Sequence, residues 1–181
     1  MCNMIGAIIQ LIINPHKAWQ ELSNDPVRQQ YLPLLLVYPL LIITALSSYV
    51  HYWYGYTDLA NTTQEALITL ITYIACIISA FLLMVKPGRK HFAGQYSKSQ
   101  AHLFVAYTYT ITLISTLINN ILPSDFTFVQ FIPVYTTWIV FQGSDFLKIP
   151  QENVFSFTVI TSVLFLGLPF AWDRIFDIII H

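Results

Sequence analysis

The stretch ALITLITYIACIISAFLLMV, residues 66–85, contains no Asp, Glu, Lys or Arg. A hydrocarbon core about 30 Å thick is crossed by roughly 20 apolar helical residues, which rise about 1.5 Å each. Further charge-free stretches of similar or greater length are Tyr31–Tyr54, Leu103–Pro123, Phe126–Ser144 and Asn153–Trp172. An aqueous core could not bury five such helices in 181 residues. The sequence therefore predicts an all-α, polytopic membrane helix bundle with five transmembrane helices.

Composition supports this class and excludes others. Charged residues make up 9% of the chain and hydrophobic residues 56%, whereas a soluble domain carries about 25% charged residues. The mean hydropathy is +0.61. The formal net charge of −1 gives no sign of the basic face that nucleic-acid binding requires, so no nucleic-acid partner is expected.

Residues 1–30 are predicted to form a cytoplasmic or interfacial helical segment. Asn14 suits a helix N-cap and Pro15 the first helical position, where a missing N–H costs nothing. The apolar face of this helix carries Ala18, Trp19 and Leu22. The opposite, charged face carries Lys17 and Glu21. The pattern favours an interfacial amphipathic helix in the headgroup plane, with Trp19 at the interface. The alternative is an amphipathic helix packed on the bundle.

Residues 31–172 are predicted to form the membrane domain, followed by a short tail at 173–181. The five spans are placed at about 31–54, 66–85, 99–122, 126–142 and 153–172. A kink is expected near Pro39, a polar loop at 57–65, and a helix end at Pro87 and Gly88. The tight turn at 122–125 predicts that spans three and four form an antiparallel hairpin.

Basic residues in short loops predict the orientation, because Lys and Arg are retained on the cytoplasmic side. Seven of the eight basic residues fall on one side of the predicted bundle: Lys17, Arg28, Lys86, Arg89, Lys90, Lys98 and Lys148. The eighth is Arg174. The N-terminus is therefore expected in the cytoplasm and the C-terminus outside. The 86–98 loop is expected to attract anionic lipids, at roughly 1 kcal/mol per cation.

No pattern in the sequence points to catalysis, and we expect no catalytic, cofactor-binding or metal-binding residue. No charge lies in the middle of a span, where it would indicate an ion or proton path. A polar seam is predicted along spans three and four, carried by Asn119, Gln130 and Gln142. It could line a substrate path, or its side chains could form hydrogen bonds between helices.

Short motifs resemble those of the Yip1 family of five-span membrane proteins, in particular its bacterial branch. They are Asn14-Pro15-x-x-x-Trp19, the segment from Phe92 to Tyr107 with Gly94, Gln100 and Ala101, and Phe141-Gln142-Gly143 followed by Pro150. The family typically carries Gly-Gly in the basic loop, and here Ala93 replaces the first Gly. By this resemblance, the candidate family-motif or partner-facing residues are Pro15, Trp19, Arg89, Lys90, Gly94 and Gln100.

The resemblance implies a fold and an association with membranes rather than a chemical activity. Eukaryotic members bind small GTPases of the Rab type at Golgi and ER membranes. Their aspartate-leucine-tyrosine-glycine-proline signature does not occur in this sequence, so GTPase binding is not expected to carry over.

We therefore expect a non-enzymatic, membrane-organising or partner-binding protein of the bacterial cytoplasmic membrane. Its partners would be the lipid bilayer and either a protein or further copies of the chain. A Golgi or ER membrane is the alternative location. The alternative functions are a small-molecule or lipid transporter or channel that uses the polar seam, and a membrane-embedded enzyme.

Overall fold

The computed structural model describes residues 4–25, 29, 31–122 and 134–180. These residues form helices joined by short connections and contain no strand. The helices are α1 (Met4–Ile13), α2 (Pro15–Asn24), α3 (Pro33–Trp53), α4 (Leu59–His91), α5 (Lys98–Ile121), α6 (Tyr135–Gly143) and α7 (Gln151–Ile180). The predicted all-α membrane bundle is confirmed, since α3, α4, α5 and most of α7 are long and apolar enough to cross a membrane.

Helix α5 is the centre of the bundle although it is the least apolar of these four helices. Its mean hydropathy is 1.4, against 1.9 to 2.5 for the others, yet 72% of its apolar window is buried. The outer helices instead turn large aliphatic side chains outward; examples are Leu35, Ile42, Leu82 and Val163. Lipid tails are as apolar as these side chains, so the strongest hydropathy belongs on the lipid-facing surface.

The fourth predicted span, 126–142, is described only from Val134 onward, and α6 begins at Tyr135. The two described ends of this segment lie at opposite ends of the bundle. At one end, Asn120 Nδ2 donates a hydrogen bond to Ser47 Oγ at 2.9 Å. At the other end, Gly143 packs against Phe104 near the start of α5. The end of α5 and the end of α6 therefore lie at opposite ends of the bundle, and a fifth membrane crossing stays a prediction.

The irregularity expected near Pro39 takes the form of a π-helical turn at Pro33–Val37. Pro39 has no N–H to donate, so the carbonyl one turn earlier loses its helical partner. The wider turn shifts the pairing, and the Tyr38 N–H bonds to the Pro33 carbonyl. Such single π turns let a helix continue past a local disturbance.

The helix end predicted at Pro87 and Gly88 is wrong, because α4 continues through a second π turn, Met84–Gly88, to His91. The Tyr96 hydroxyl donates a hydrogen bond of 2.8 Å to the Met84 carbonyl, which adds a partner at the disturbed turn. Burial raises the pKa of Tyr96 to about 12, although Arg89 acts in the opposite direction. The hydroxyl is therefore protonated at neutral pH and can make this bond.

The polar loop predicted at 57–65 is also wrong over most of its length, because α4 begins at Leu59. The Asp58 carboxylate caps the helix by accepting a 2.8 Å hydrogen bond from the Asn61 N–H. The polar run after it occupies the first turns of the helix. At the other end of the chain, α7 continues to Ile180 through most of the predicted tail.

The loop between α4 and α5 contains a left-handed residue, Ala93, with φ of +53°. By the resemblance described above, this position corresponds to the first glycine of the family's Gly-Gly pair. A Cβ atom makes the left-handed conformation less favourable by roughly 1–2 kcal/mol, and glycine avoids this penalty. The local geometry therefore gives a physical reason for glycine at this place.

We expect Ala93→Gly to raise the free energy of unfolding by up to about 1 kcal/mol, since relief of the left-handed strain outweighs the added freedom of the unfolded chain. Reversible unfolding in mixed detergent micelles, followed by circular dichroism, measures the change. Ala171→Gly is the matched control, because Ala171 lies exposed inside α7 and glycine there should lower stability by about 1 kcal/mol. Two changes of the same sign would contradict this explanation.

Candidate functional site

Trp19 anchors the N-terminal segment to the bundle. Its side chain is 2% exposed. The ring packs against Phe104 and Tyr107 of α5 and against Phe146, with centroid distances of 5.1 to 5.5 Å. Its indole N–H donates a 3.2 Å hydrogen bond to the Ile139 carbonyl of α6. The predicted headgroup position of this ring is therefore wrong, and the side chain matches the alternative of a helix packed on the bundle.

The amphipathic helix around Trp19 forms as the sequence predicted. Asn14 caps it, since the Lys17 N–H donates to Asn14 Oδ1 at 3.1 Å, and Pro15 occupies the first turn. Its apolar face, Ala18, Trp19 and Leu22, is buried together with Pro15. The opposite face stays accessible at Lys17.

Polar contacts attach the same segment to α6. His16 Nδ1 lies 3.1 Å from Gln142 Oε1, and the Tyr135 hydroxyl donates to the Ile12 carbonyl at 2.8 Å. Gln142, predicted as part of a polar seam, is therefore engaged at the end of the bundle where the N-terminal segment lies. Asn119 lies near the other end, and Gln130 lies outside the described residues. The described members of the seam do not meet.

Two glycines of the family motifs are close-approach positions. A Cβ atom on Gly143 would lie 2.6 Å from Phe104 Cε2 and 3.1 Å from Trp19 Cε2. A Cβ atom on Gly94 would lie 2.8 Å from Ile149 Cδ1 and would also overlap the Tyr96 ring. Glycine is thus required by packing at both places, and neither residue presents a side chain to a partner.

Gln100 has a structural role at the start of α5. Its backbone N–H donates to Ser97 Oγ at 3.1 Å, and its Oε1 accepts from the Ser97 N–H at 2.8 Å. This reciprocal pair is a capping box, which satisfies two of the N–H groups that a helix start leaves unpaired. Of the six candidate family-motif residues, Arg89 and Lys90 are the two that are exposed in the structure.

An apolar groove of about 600 Å³ lies between α4 and α7; Lys90 lines it, and Arg89 is the residue before Lys90 on α4. Lys90 and His91 form part of its wall, with Phe92 and aliphatic side chains of both helices. The groove residues are Leu83, Met84, Pro87, Gly88, Lys90, His91, Phe92, Ile160, Thr161 and Leu164. The Arg89 guanidinium lies 5.5 Å from the centre of the Tyr96 ring. This cation–π contact holds the Arg89 side chain against the loop between α4 and α5.

The α7 wall of this groove was missed in the sequence. Ile160 and Leu164 fall on a span where apolar residues occur on every face, so their pattern does not separate a groove wall from a lipid-facing surface. Phe104 and Tyr107, which receive Trp19, were missed as its partners for a similar reason. The one sequence feature that singled out this region was the segment Phe92–Tyr107, which resembles the family and ends at Tyr107.

A small apolar groove with a cationic rim can hold an amphiphile, with its chain in the groove and an anionic group at the rim. Within the described residues, no group of three or more His, Cys, Asp or Glu side chains is placed to hold a metal ion.

Comparison with curated proteins and with solved structures gave no match. A family model described as the Yip1 domain matches residues 9–172, from within α1 into α7. The match includes the Trp19 contact, the basic loop and the groove. This is a multi-pass membrane protein, and the chain belongs to the Yip1 family.

Proposed function

We propose that this chain is a non-enzymatic, membrane-organising protein of the bacterial cytoplasmic membrane that binds anionic phospholipid at its cytoplasmic face. The observation that carries the proposal is the apolar groove with Lys90 and His91 in its wall. Arg89, Lys86 and Lys98 are exposed nearby on the same loop and helix end. A phospholipid offers complementary chemistry to both parts of this surface.

The distribution of charge supports a cytoplasmic location for this face. The described basic residues at the groove end of the bundle are Lys17, Lys86, Arg89, Lys90, Lys98 and Lys148. Arg174 lies at the opposite end, near the end of α7. Retention of Lys and Arg in the cytoplasm supports an N-terminus inside and a C-terminus outside.

The docked N-terminal segment suits a membrane-organising role better than a catalytic one. Trp19 fixes α2 to the start of α5 and to α6, and the Phe92–Ser97 loop lies between α4 and α5 at the same end. In this proposal these elements together form a face that presents cations toward headgroups. A protein partner, or a second copy of the chain, would meet the same face through Arg89 and Lys90.

Direct lipid binding tests the proposal. Purified protein is titrated with phosphatidylglycerol or phosphatidylcholine of the same chain length, and bound lipid is counted by native mass spectrometry. We expect preferential phosphatidylglycerol binding, and about a 30-fold loss of affinity in Arg89→Gln/Lys90→Gln, since each cation contributes about 1 kcal/mol. Ile160→Trp, which fills the groove, should lower the affinity while leaving the charges unchanged.

The matched control is Lys17→Gln/Lys148→Gln. It removes two cations from the same end of the bundle but away from the groove wall, and the affinity should change little. Equal binding of the two lipids, or an equal loss in both double variants, would show that the groove is not a specific site. Thermal unfolding of each variant establishes that it is folded.

A further inference from the structure

A second cavity, of about 670 Å³, lies at the end of the bundle opposite the basic loop. We infer that it binds a small organic cation of the ammonium type. Its wall is formed by α4, α5 and α7, with Val134 beside α6. This inference concerns a different site from the anionic-lipid groove and does not depend on it.

Buried hydroxyls without a partner line the cavity. Thr72 and Thr112 are 5% and 8% exposed, and the Oγ1 atom of each lacks a hydrogen-bond partner. Elsewhere in the bundle a buried threonine bonds to the carbonyl one turn earlier, as Thr158 does to Val154 at 2.8 Å. A buried hydroxyl left unpaired costs about 1–3 kcal/mol. Because these two oxygens are closed to solvent, a ligand in the cavity would reach them only after a small shift of the wall.

The polar groups of the wall come from two facing helices. The Tyr73 hydroxyl of α4 lies 2.7 Å from Thr116 Oγ1 of α5, and both residues line the cavity. Asn119 adds an exposed amide on the same side of α5. The hydroxyl and carbonyl oxygens of these side chains can accept hydrogen bonds from a ligand donor.

The charge of the wall selects a cation. Asp173 is part of the wall, and no Lys, Arg or His is among the described residues that line it. Arg174 follows Asp173 along α7 but does not line the cavity. Two further carboxylates, Asp58 and Glu65, lie at the same end of the bundle. Carboxylates at this end of the bundle raise the local concentration of cations.

Aromatic rings and size favour an organic cation over a bare metal ion. Phe170 and Tyr73 contribute rings to the wall, and ring faces attract ammonium groups, including quaternary ones. A volume of about 670 Å³ falls within the usual range for small-molecule sites and is far larger than one ion needs. The carboxylate, the rings and the hydroxyls together suit an ammonium group that carries a hydroxyl or similar polar end.

Choline is a suitable probe, because it combines a quaternary ammonium with a hydroxyl. Equilibrium binding of radiolabelled choline is measured on the full chain in detergent, with 3,3-dimethylbutan-1-ol as the uncharged competitor of the same shape. We expect saturable binding that the uncharged analogue displaces poorly. Asp173→Asn should weaken binding by at least about tenfold, and Thr112→Val should weaken it less.

Two control variants separate the site from general effects. Thr108→Val removes another buried, unpartnered hydroxyl from α5 that does not line the cavity, and Glu65→Gln removes a nearby carboxylate outside the wall. Both should retain most of the choline affinity. Absence of saturable binding, equal competition by the uncharged analogue, or an unchanged affinity in a folded Asp173→Asn variant would each overturn the inference. Because Asp173 is exposed, this substitution should leave the fold intact.

Discussion

Replacing Trp19 by alanine should lower the free energy of unfolding by about 3–5 kcal/mol, the usual loss when a fully buried aromatic side chain is truncated. The change removes three ring contacts and leaves the Ile139 carbonyl without the indole donor. Reversible unfolding in mixed micelles, followed by the helical circular dichroism signal, gives the value. Limited proteolysis should in addition cut the N-terminal segment earlier than the spans.

Trp53→Ala provides the matched control for this experiment. Trp53 ends α3 and is 80% exposed, so the same truncation there should change stability by less than about 0.5 kcal/mol. Equal losses in the two variants would contradict the anchoring role of Trp19. The same result would restore the interpretation of Trp19 as a headgroup-facing residue.

Gly143→Ala should destabilise the same cluster by about 1–3 kcal/mol, because the new methyl group overlaps the Phe104 ring. Alanine is favoured over glycine inside a helix by about 1 kcal/mol, so a net loss requires that overpacking exceeds this gain. Gly167→Ala is the control: no atom lies within 4 Å of its added Cβ, and stability should stay equal or rise. Unfolding in mixed micelles measures both variants.

A second substitution identifies the ring responsible for the overlap. Phe104→Leu shortens the side chain that meets the new methyl group, so Gly143→Ala should cost less in that background than in the natural chain. Contacting residues show such non-additive effects, whereas independent sites add. Strict additivity of the two substitutions would place the strain elsewhere.

The membrane class and the N-terminal helix could be predicted because both depend on local signals. Charge-free length alone indicates a span, and the Asn14-Pro15 pair marks a helix start wherever it occurs. The ends of α4 depend on tertiary contacts, and on which of two local conformations the chain adopts, and composition reveals neither. The polar run after Asp58 is typical of a loop as well as of a capped helix. The helix passes Pro87 where the hydroxyl of Tyr96, a residue of the following loop, reaches the Met84 carbonyl.

The exposed charges of the candidate site could be predicted from the sequence, but the residues that form its walls could not. Arg89 and Lys90 are exposed, as expected for cations in a short loop. An amphipathic helix has the same pattern whether its apolar face meets lipid or protein, so the burial of Trp19 could not be read from spacing. The cavity that contains Asp173 joins three helices, and the polar residues of α5 do not indicate which neighbours complete it.

The low hydropathy of α5 has a consequence for how this protein enters the membrane. A segment is inserted from the translocation machinery according to its own transfer free energy, which polar side chains make less favourable. The threonines and tyrosines that suit α5 to the interior, among them Thr108, Tyr109, Thr110 and Thr112, therefore weaken it as an independent insertion signal. The neighbours of α5 come from the two preceding spans: the Thr116 hydroxyl lies 2.7 Å from the Tyr73 hydroxyl of α4, and the Leu113 carbonyl accepts a hydrogen bond from Thr44 of α3. We therefore expect stable insertion of α5 to depend on the two earlier helices being present in the bilayer.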